Sequence, residues 1–236
     1  GALDEMATAL GDTAAAREWR TTRDALDPIL VDPVTGTLPF AAGLPYDQSH
    51  RHFSHLMAIH PLGLLTIAEP RDSVVVRRAL DELARVGSDW WVGYSFAWYA
   101  AMLARAARGE EALAELEKFR SAFLLRNGFH ANGDQSGRGL SKHRYRPVTL
   151  EGNFLALHAA HEMVLQGWGG TVRVFPAVSA RWRDVAFRDL RAEGGLRVSA
   201  VRRGGRTVSV RLTASVAGLV RLRDPFDGAA VRWDRA

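Results

Sequence analysis

Four of the chain's eight histidines fall in HRHFSHLMAIHP, between His50 and His60, with Arg51 between the first two. Imidazole can ligate a metal, hydrogen-bond a sugar hydroxyl or satisfy a buried polar group, so the cluster is open to all three uses. A metal site asks for three or four ligands. The chain has no cysteine, and this stretch shows neither His-Glu-x-x-His spacing nor paired carboxylates,. A second histidine pair, His158 and His161 beside Glu162, has the order HAAHE, which is also not that spacing. Three further segments set aromatic rings beside polar groups: SDWWVGYSFAW (88–98), NGFHANGDQSGRGLSKHRY (127–145) and LEGNF (150–154). A pyranose stacks its CH face on Trp or Tyr while its hydroxyls demand directed hydrogen bonds. The combination points to a carbohydrate pocket, with His50, His52, Trp91, His143 and Asn153 as candidate contacts. His55 and His60 are expected to be structural, and no metal or other cofactor is expected.

These segments must be held by regular elements, and the hydrophobic period changes once along the chain. Up to about Gln166 apolar residues recur at spacings of three and four, the mark of helices,. Leu3 to Leu10 stops at Gly11, and Asp12 can cap a second helix. Ser73 is placed to cap a run ending at Gly87, Tyr94–Arg108 and Glu111–Leu124 meet at Gly109, and residues 152–166 read as a further helix,. After Gly167 the period becomes two, in TVRVFPAV, LRVSAV and TVSVRL, the last two flanking an RRGGR hairpin turn,. The expected fold is therefore mainly α with a β C-terminal part: helical hairpins over 1–167 and a small antiparallel β-sandwich over 168–236.

Composition narrows the function class. With 236 residues and 47% hydrophobic content the chain can bury a sizeable core,. No apolar run reaches the roughly 20 residues of a membrane span, and GALDEMATALGD lacks the regions of a signal peptide,. Neither the sequence nor the absence of cysteine distinguishes a cytosolic protein from a secreted one whose signal lies outside it. The net charge of +5 rests on scattered arginines, so neither a nucleic-acid nor a membrane partner is expected.

The string HRHFSHLMAIHP resembles the His-Arg-His-Leu-Ser-His-Leu-Tyr-x-Leu-Tyr-Pro signature of glycoside hydrolase family 95, the inverting α-L-fucosidases and α-L-galactosidases. GYSFAWYAAMLARAARGEEA is similar to that family's Gly-Trp-Ser-x-Ala-Trp helix. LEGNFLALHAAHEMVLQ is similar to its Asp-Gly-Asn-Phe-Gly stretch and Glu-Met-Leu-Leu-Gln helix, and the tail resembles its C-terminal β domain. The resemblance implies part of an (α/α)6 toroid acting on an oligosaccharide or glycoconjugate. It also implies that the general-acid glutamate, the asparagines that hold the attacking water and about half of the toroid's helices precede Gly1, so that the chain pairs with that missing part or with a second copy. Glu151 stands where the family has the aspartate that polarises one of those asparagines, and Leu155 stands where it has a glycine. Inversion needs one group to protonate the leaving oxygen and another, opposite, to activate water. A carboxylate at a helix N-terminus is stabilised in its charged form, which suits the second role. The competing possibility is a catalytically silent carbohydrate-binding or structural remnant of the same fold.

Overall fold

The computed structural model describes residues 1–234. The chain forms two compact units, Gly1–Leu30 and Val31–Ala236. In the first, α1 (Ala2–Ala9) and α2 (Thr13–Asp24) make a hairpin that turns at Gly11, where φ is 75°,. Asp12 caps α2, its Oδ1 accepting the Ala15 N–H at 3.0 Å,. Asp4 on α1 holds Arg20 and Arg23 on α2 at 2.8 and 3.4 Å.

The second unit contains α3 (Pro70–Val86), α4 (Gly93–Arg105), α5 (Gly109–Ala122) and α6 (Glu151–Val164). Ser73 does not cap α3. The helix starts one turn earlier, because Pro70 at its first position supplies a fixed helical φ and gives up only an N–H that would have no partner,. The turn between α4 and α5 lies at Ala106–Arg108, with Ala107 left-handed at φ 58°. Gly109 instead begins α5, where any Cβ would collide with the Ala177 backbone.

Helix α4 is buried on every side, from Phe96 and Trp98 through Met102 and Leu103. Its small residues Ala100 and Ala101 meet Ala159 of α6, which lets the two helices approach closely. Arg105 at the end of α4 bonds Glu162 near the end of α6, and His130 touches the first turn of both. The two helices therefore run parallel, with their N-termini at one end. Helices α3 and α5 run back against α4; Tyr99 Oη, for example, donates to the Leu80 carbonyl at 3.0 Å.

Helix α6 passes directly into β1 (Leu165–Gln166), so strand geometry begins before Gly167 and Gln166 is not helical. β1 pairs antiparallel with β2 (Arg173–Val174), and β3 (Val185–Ala192), β4 (Leu196–Arg203) and β5 (Arg206–Ala214) form a second antiparallel sheet in that order. Between β4 and β5, Gly204 and Gly205 take φ of 55° and 84°, as a two-residue primed turn requires,. The two sheets share a core of Leu165, Val172, Val174, Leu196, Val198 and Ala200. Strand β3 was hidden in the sequence because a bulge between Phe187 and Leu190, with Asp189 at φ 53°, interrupts its alternation,. No described helix is long and apolar enough to cross a membrane.

Candidate functional site

The parallel N-termini of α4 and α6 gather the segments that carry the unusual side chains. Ser95, in the first turn of α4, accepts the Val92 N–H at 3.1 Å and donates to the Arg51 carbonyl at 2.7 Å. The Trp90 N–H donates to Ser49 Oγ at 3.0 Å. These two bonds fix the histidine-rich stretch against the start of α4. The 127–149 loop is tied to the same place: Gly93 N–H reaches the Asn132 carbonyl at 3.3 Å, Lys142 N–H the Asp89 carbonyl at 2.7 Å, and Ser141 Oγ the Trp91 carbonyl at 2.5 Å.

The centre of this arrangement is a residue not singled out from the sequence. The ring of His130, 0% exposed, lies between Gly93 of α4 and Gly152 of α6, and a Cβ on either glycine would overlap it. Its Nδ1 faces the Thr149 carbonyl at 2.9 Å and Thr149 Oγ1 at 2.8 Å, and the ring stacks on Phe119 at 5.4 Å. Nε2 is buried without a partner. Burial pushes its pKa down, although the Thr149 carbonyl and the charge of Glu151 act upward. His130 is thus a neutral spacer between two helix ends. The sequence holds its signal only as three distant parts, a histidine and two helix-start glycines, which nothing local connects.

Glu151 is exposed in the first turn of α6, and its charge acts on Tyr94 and His130. Asn153 is fully committed to the loop. Its Oδ1 accepts the His130 N–H at 2.9 Å and its Nδ2 donates to the Gly128 carbonyl at 2.8 Å.

His50 and His52 are exposed and meet edge to face with ring centroids 5.5 Å apart. The His50 Nδ1 accepts the His52 N–H at 3.1 Å. His52 and His55 do not share a helical face, because only a single 3₁₀ turn, Ser54–Leu56, forms there. His143 stacks edge-on against Trp90 at 5.3 Å and Tyr145 at 5.2 Å. Burial and then the Arg51 charge lower its pKa, which sets it beside the 50–52 segment. Trp91 is different: it is 2% exposed, enclosed by Phe53, Phe96 and Tyr99, and offers no open face. The outward aromatics are Trp90, 47% exposed, and Tyr145, 40% exposed. A tryptophan pair in sequence does not reveal which member turns inward.

The other ends of α4 and α6 hold a second polar cluster. His60, His158 and Glu162 bring ligand-type atoms within 4.8 Å of one another. Glu162 Oε1 accepts from Arg105 Nε at 3.1 Å and Nη2 at 2.7 Å, while Oε2 accepts from Trp168 Nε1 at 3.2 Å. Arg105 also donates to the carbonyls of Ile59 and Pro61, each at 2.9 Å. A cavity of about 180 Å³ adjoins this cluster. Its carboxylate is already neutralised by the buried Arg105 guanidinium, so the arrangement clamps α6 to α4.

Residues 3–164 match the glycosyl hydrolase family 95 catalytic domain. No curated protein matches the chain. The six helices and the two antiparallel sheets after them fit a segment of that family's toroid and its β part. The match takes in more than half of the chain, including both the histidine-rich stretch and the start of α6, and the chain belongs to glycosyl hydrolase family 95.

Proposed function

We propose that this glycoside hydrolase chain serves an inverting, α-L-fucosidase-like reaction on terminal α-linked sugars, with Glu151 as the group that orients or activates water. The observation that carries this is the placement of Glu151: an exposed carboxylate in the first turn of a helix, beside Tyr94 and beside a histidine held neutral by burial. It sits among the free N–H groups of the helix start, and no cation is bonded to it among the described residues,. Such a carboxylate accepts a proton from water. A glutamate in this place reaches one methylene further than an aspartate, so the water it serves stands further from the α6 axis.

His50, His52 and His143 are assigned to sugar hydroxyls. Trp90 and Tyr145 are assigned to the sugar's CH face, with Trp91 supporting them from the core and Asn153 holding the loop in register. Residues 1–167 form the part that carries this chemistry and 168–236 the accompanying β domain. The proton donor to the leaving oxygen is not assigned to a residue of this chain.

The test is hydrolysis of aryl α-L-fucosides and α-L-galactosides, with the first-formed anomer followed by NMR. Where the proton donor is supplied as well, Glu151→Gln should lower turnover by roughly 10²- to 10⁴-fold and leave sugar affinity nearly unchanged, and without that donor turnover should be near zero. A variant with normal turnover, or a product of retained configuration, overturns the assignment. Saturable sugar binding with no turnover even where the proton donor is supplied supports the non-catalytic binding module instead.

A further inference from the structure

The arginines are unevenly placed. After residue 167 there are fourteen arginines, no lysine and six carboxylates, so the positive balance of the whole chain is carried by this part. The β3–β4–β5 sheet gives these arginines a common face. Leu196, Val198 and Ala200 point into the core, and directly opposed residues in an antiparallel pair share a face,. Arg197 therefore points outward, flanked across the strands by Arg191 on β3 and Thr213 on β5. The next outward position, Ser199, stands opposite Arg211. Arg191, Arg197 and Arg211 are all exposed, and Arg203 and Arg206 face one another at the hairpin end.

Like charges directly opposed on a sheet are unfavourable unless something neutralises them. Nothing among the described residues does so. Among the described residues, the arginines after 167 that form ion pairs are Arg181, with Glu117, and Arg232, with Asp234, and neither lies on this sheet. Two opposed arginine pairs and a further arginine on one exposed face, with hydroxyls of Ser199, Ser209 and Thr213 between them, form a surface whose missing counterpart is an anion.

We propose that this face binds a uronic-acid-bearing polysaccharide and holds the glycosidase part on a carboxylated glycan. Arginine presents a planar fork that pairs with a carboxylate through two parallel hydrogen bonds, and lysine does not. The interleaved hydroxyls match the sugar hydroxyls that lie between successive carboxylates of such a polymer. Asp189, exposed on β3 with its N–H bonded to Ser199 Oγ at 2.9 Å, makes the face less suited to a densely charged polyanion. Nucleic acid fits less well: the outward residues of the sheet include no aromatic ring on which a base could stack. The charge argument is independent of the active-site assignment, while the choice of a saccharide rests on the glycosidase function proposed above.

The experiment is affinity electrophoresis of the full chain in gels containing polygalacturonate, with neutral dextran, chondroitin sulfate and duplex DNA in parallel at one ionic strength. Polygalacturonate should retard the protein, and dextran should not. Replacing Arg191, Arg197 and Arg211 by Gln together should weaken retention about tenfold or more, as expected for the loss of three charge contacts. A control with Arg77, Arg85 and Arg120 replaced by Gln, equal in net charge, should retain it. Circular dichroism and binding of L-fucose report whether the fold and the sugar site beside Glu151 are intact, so failure at the sheet and failure at the site are seen separately. Absence of retardation, equal weakening in the control, or tighter retention by DNA or chondroitin sulfate overturns the proposal.

Discussion

Mild acid should destabilise this protein through two histidines that its fold keeps neutral. His55 lies between Phe40 and Tyr46, with ring centroids 4.4 and 5.0 Å away, and its Nδ1 is buried without a partner. His60 is 4% exposed, with Nδ1 likewise unpartnered. Burial pushes His55 down to about 4, and burial together with the Arg105 charge pushes His60 down to about 3, against 6.5 for an ordinary imidazole. The unfolded chain therefore takes up both protons first. Stability is complete above pH 6.5 and is lost as pH falls toward 4 and then 3, by up to about 1.4 kcal/mol per pH unit for each histidine. Between pH 7 and 5 the two together remove about 3–4 kcal/mol, a fall of roughly 6–16 °C in Tm for a chain of this size. The assay is a series of urea or thermal melts across that range, repeated on His55→Phe, which keeps an aromatic ring between Phe40 and Tyr46 and removes one titrating group. The variant should lose about half of the pH dependence. Melts that do not shift between pH 7 and 5, or a His55→Phe protein with the full dependence, would refute the reasoning.

Other outcomes follow from the same structure. Glu162→Ala leaves the buried Arg105 guanidinium without its counter-charge and should cost about 3–5 kcal/mol in denaturant melts, whereas a cost below about 1 kcal/mol would mean that the pair is solvated. Gly152→Ala drives a methyl into the His130 ring and should cost about 1–3 kcal/mol, and this cost should shrink in a His130→Ala background; additive effects would show that the two residues do not meet,. Asn153→Ala removes both bonds that hold the 127–149 loop to α6, so limited proteolysis should cut that loop faster with a stability loss of about 1–3 kcal/mol,.

What could be read from the sequence was what depends on neighbours in the chain. The α1–α2 hairpin with its Asp12 cap, the positions of α3 to α6 and the RRGGR turn follow from periodicity and from glycine's freedom at positive φ. Element ends shifted where a local device competed with the pattern, as Pro70 did at α3 and Leu165 did when it left α6 to pair with Val174. At the site, the convergence of the histidine stretch, the 127–149 loop and the start of α6 was legible as composition, since each carries side chains that no core requires. The joints themselves were not. Ser95 with Arg51 and His130 with its two glycines span 44 and up to 37 residues, and the choice of Trp90 over Trp91 as the outward ring is settled only by packing.

Helix α6 sets two carboxylates in contrasting circumstances, and the contrast decides what each can do. Glu151 and Glu162 are eleven residues apart, about 16 Å along the axis,. The first sits among unsatisfied N–H groups of a helix start and faces solvent,. The second, 5% exposed in its side chain, is bonded to Arg105 through two nitrogens and to the Trp168 indole. A metal ligated by Glu162 with His60 and His158 would lie against the buried Arg105 guanidinium, which also holds the carbonyls of Ile59 and Pro61. Repulsion from that buried positive charge disfavours such an ion, while Arg105 already compensates the carboxylate,. The His60–His158–Glu162 cluster therefore locks α6 to α4 and to the turn at Pro61. The same lock keeps the far end of α6 fixed, so the position of Glu151 is governed by a rigid helix braced at both ends, by Arg105 at one and by His130 at the other.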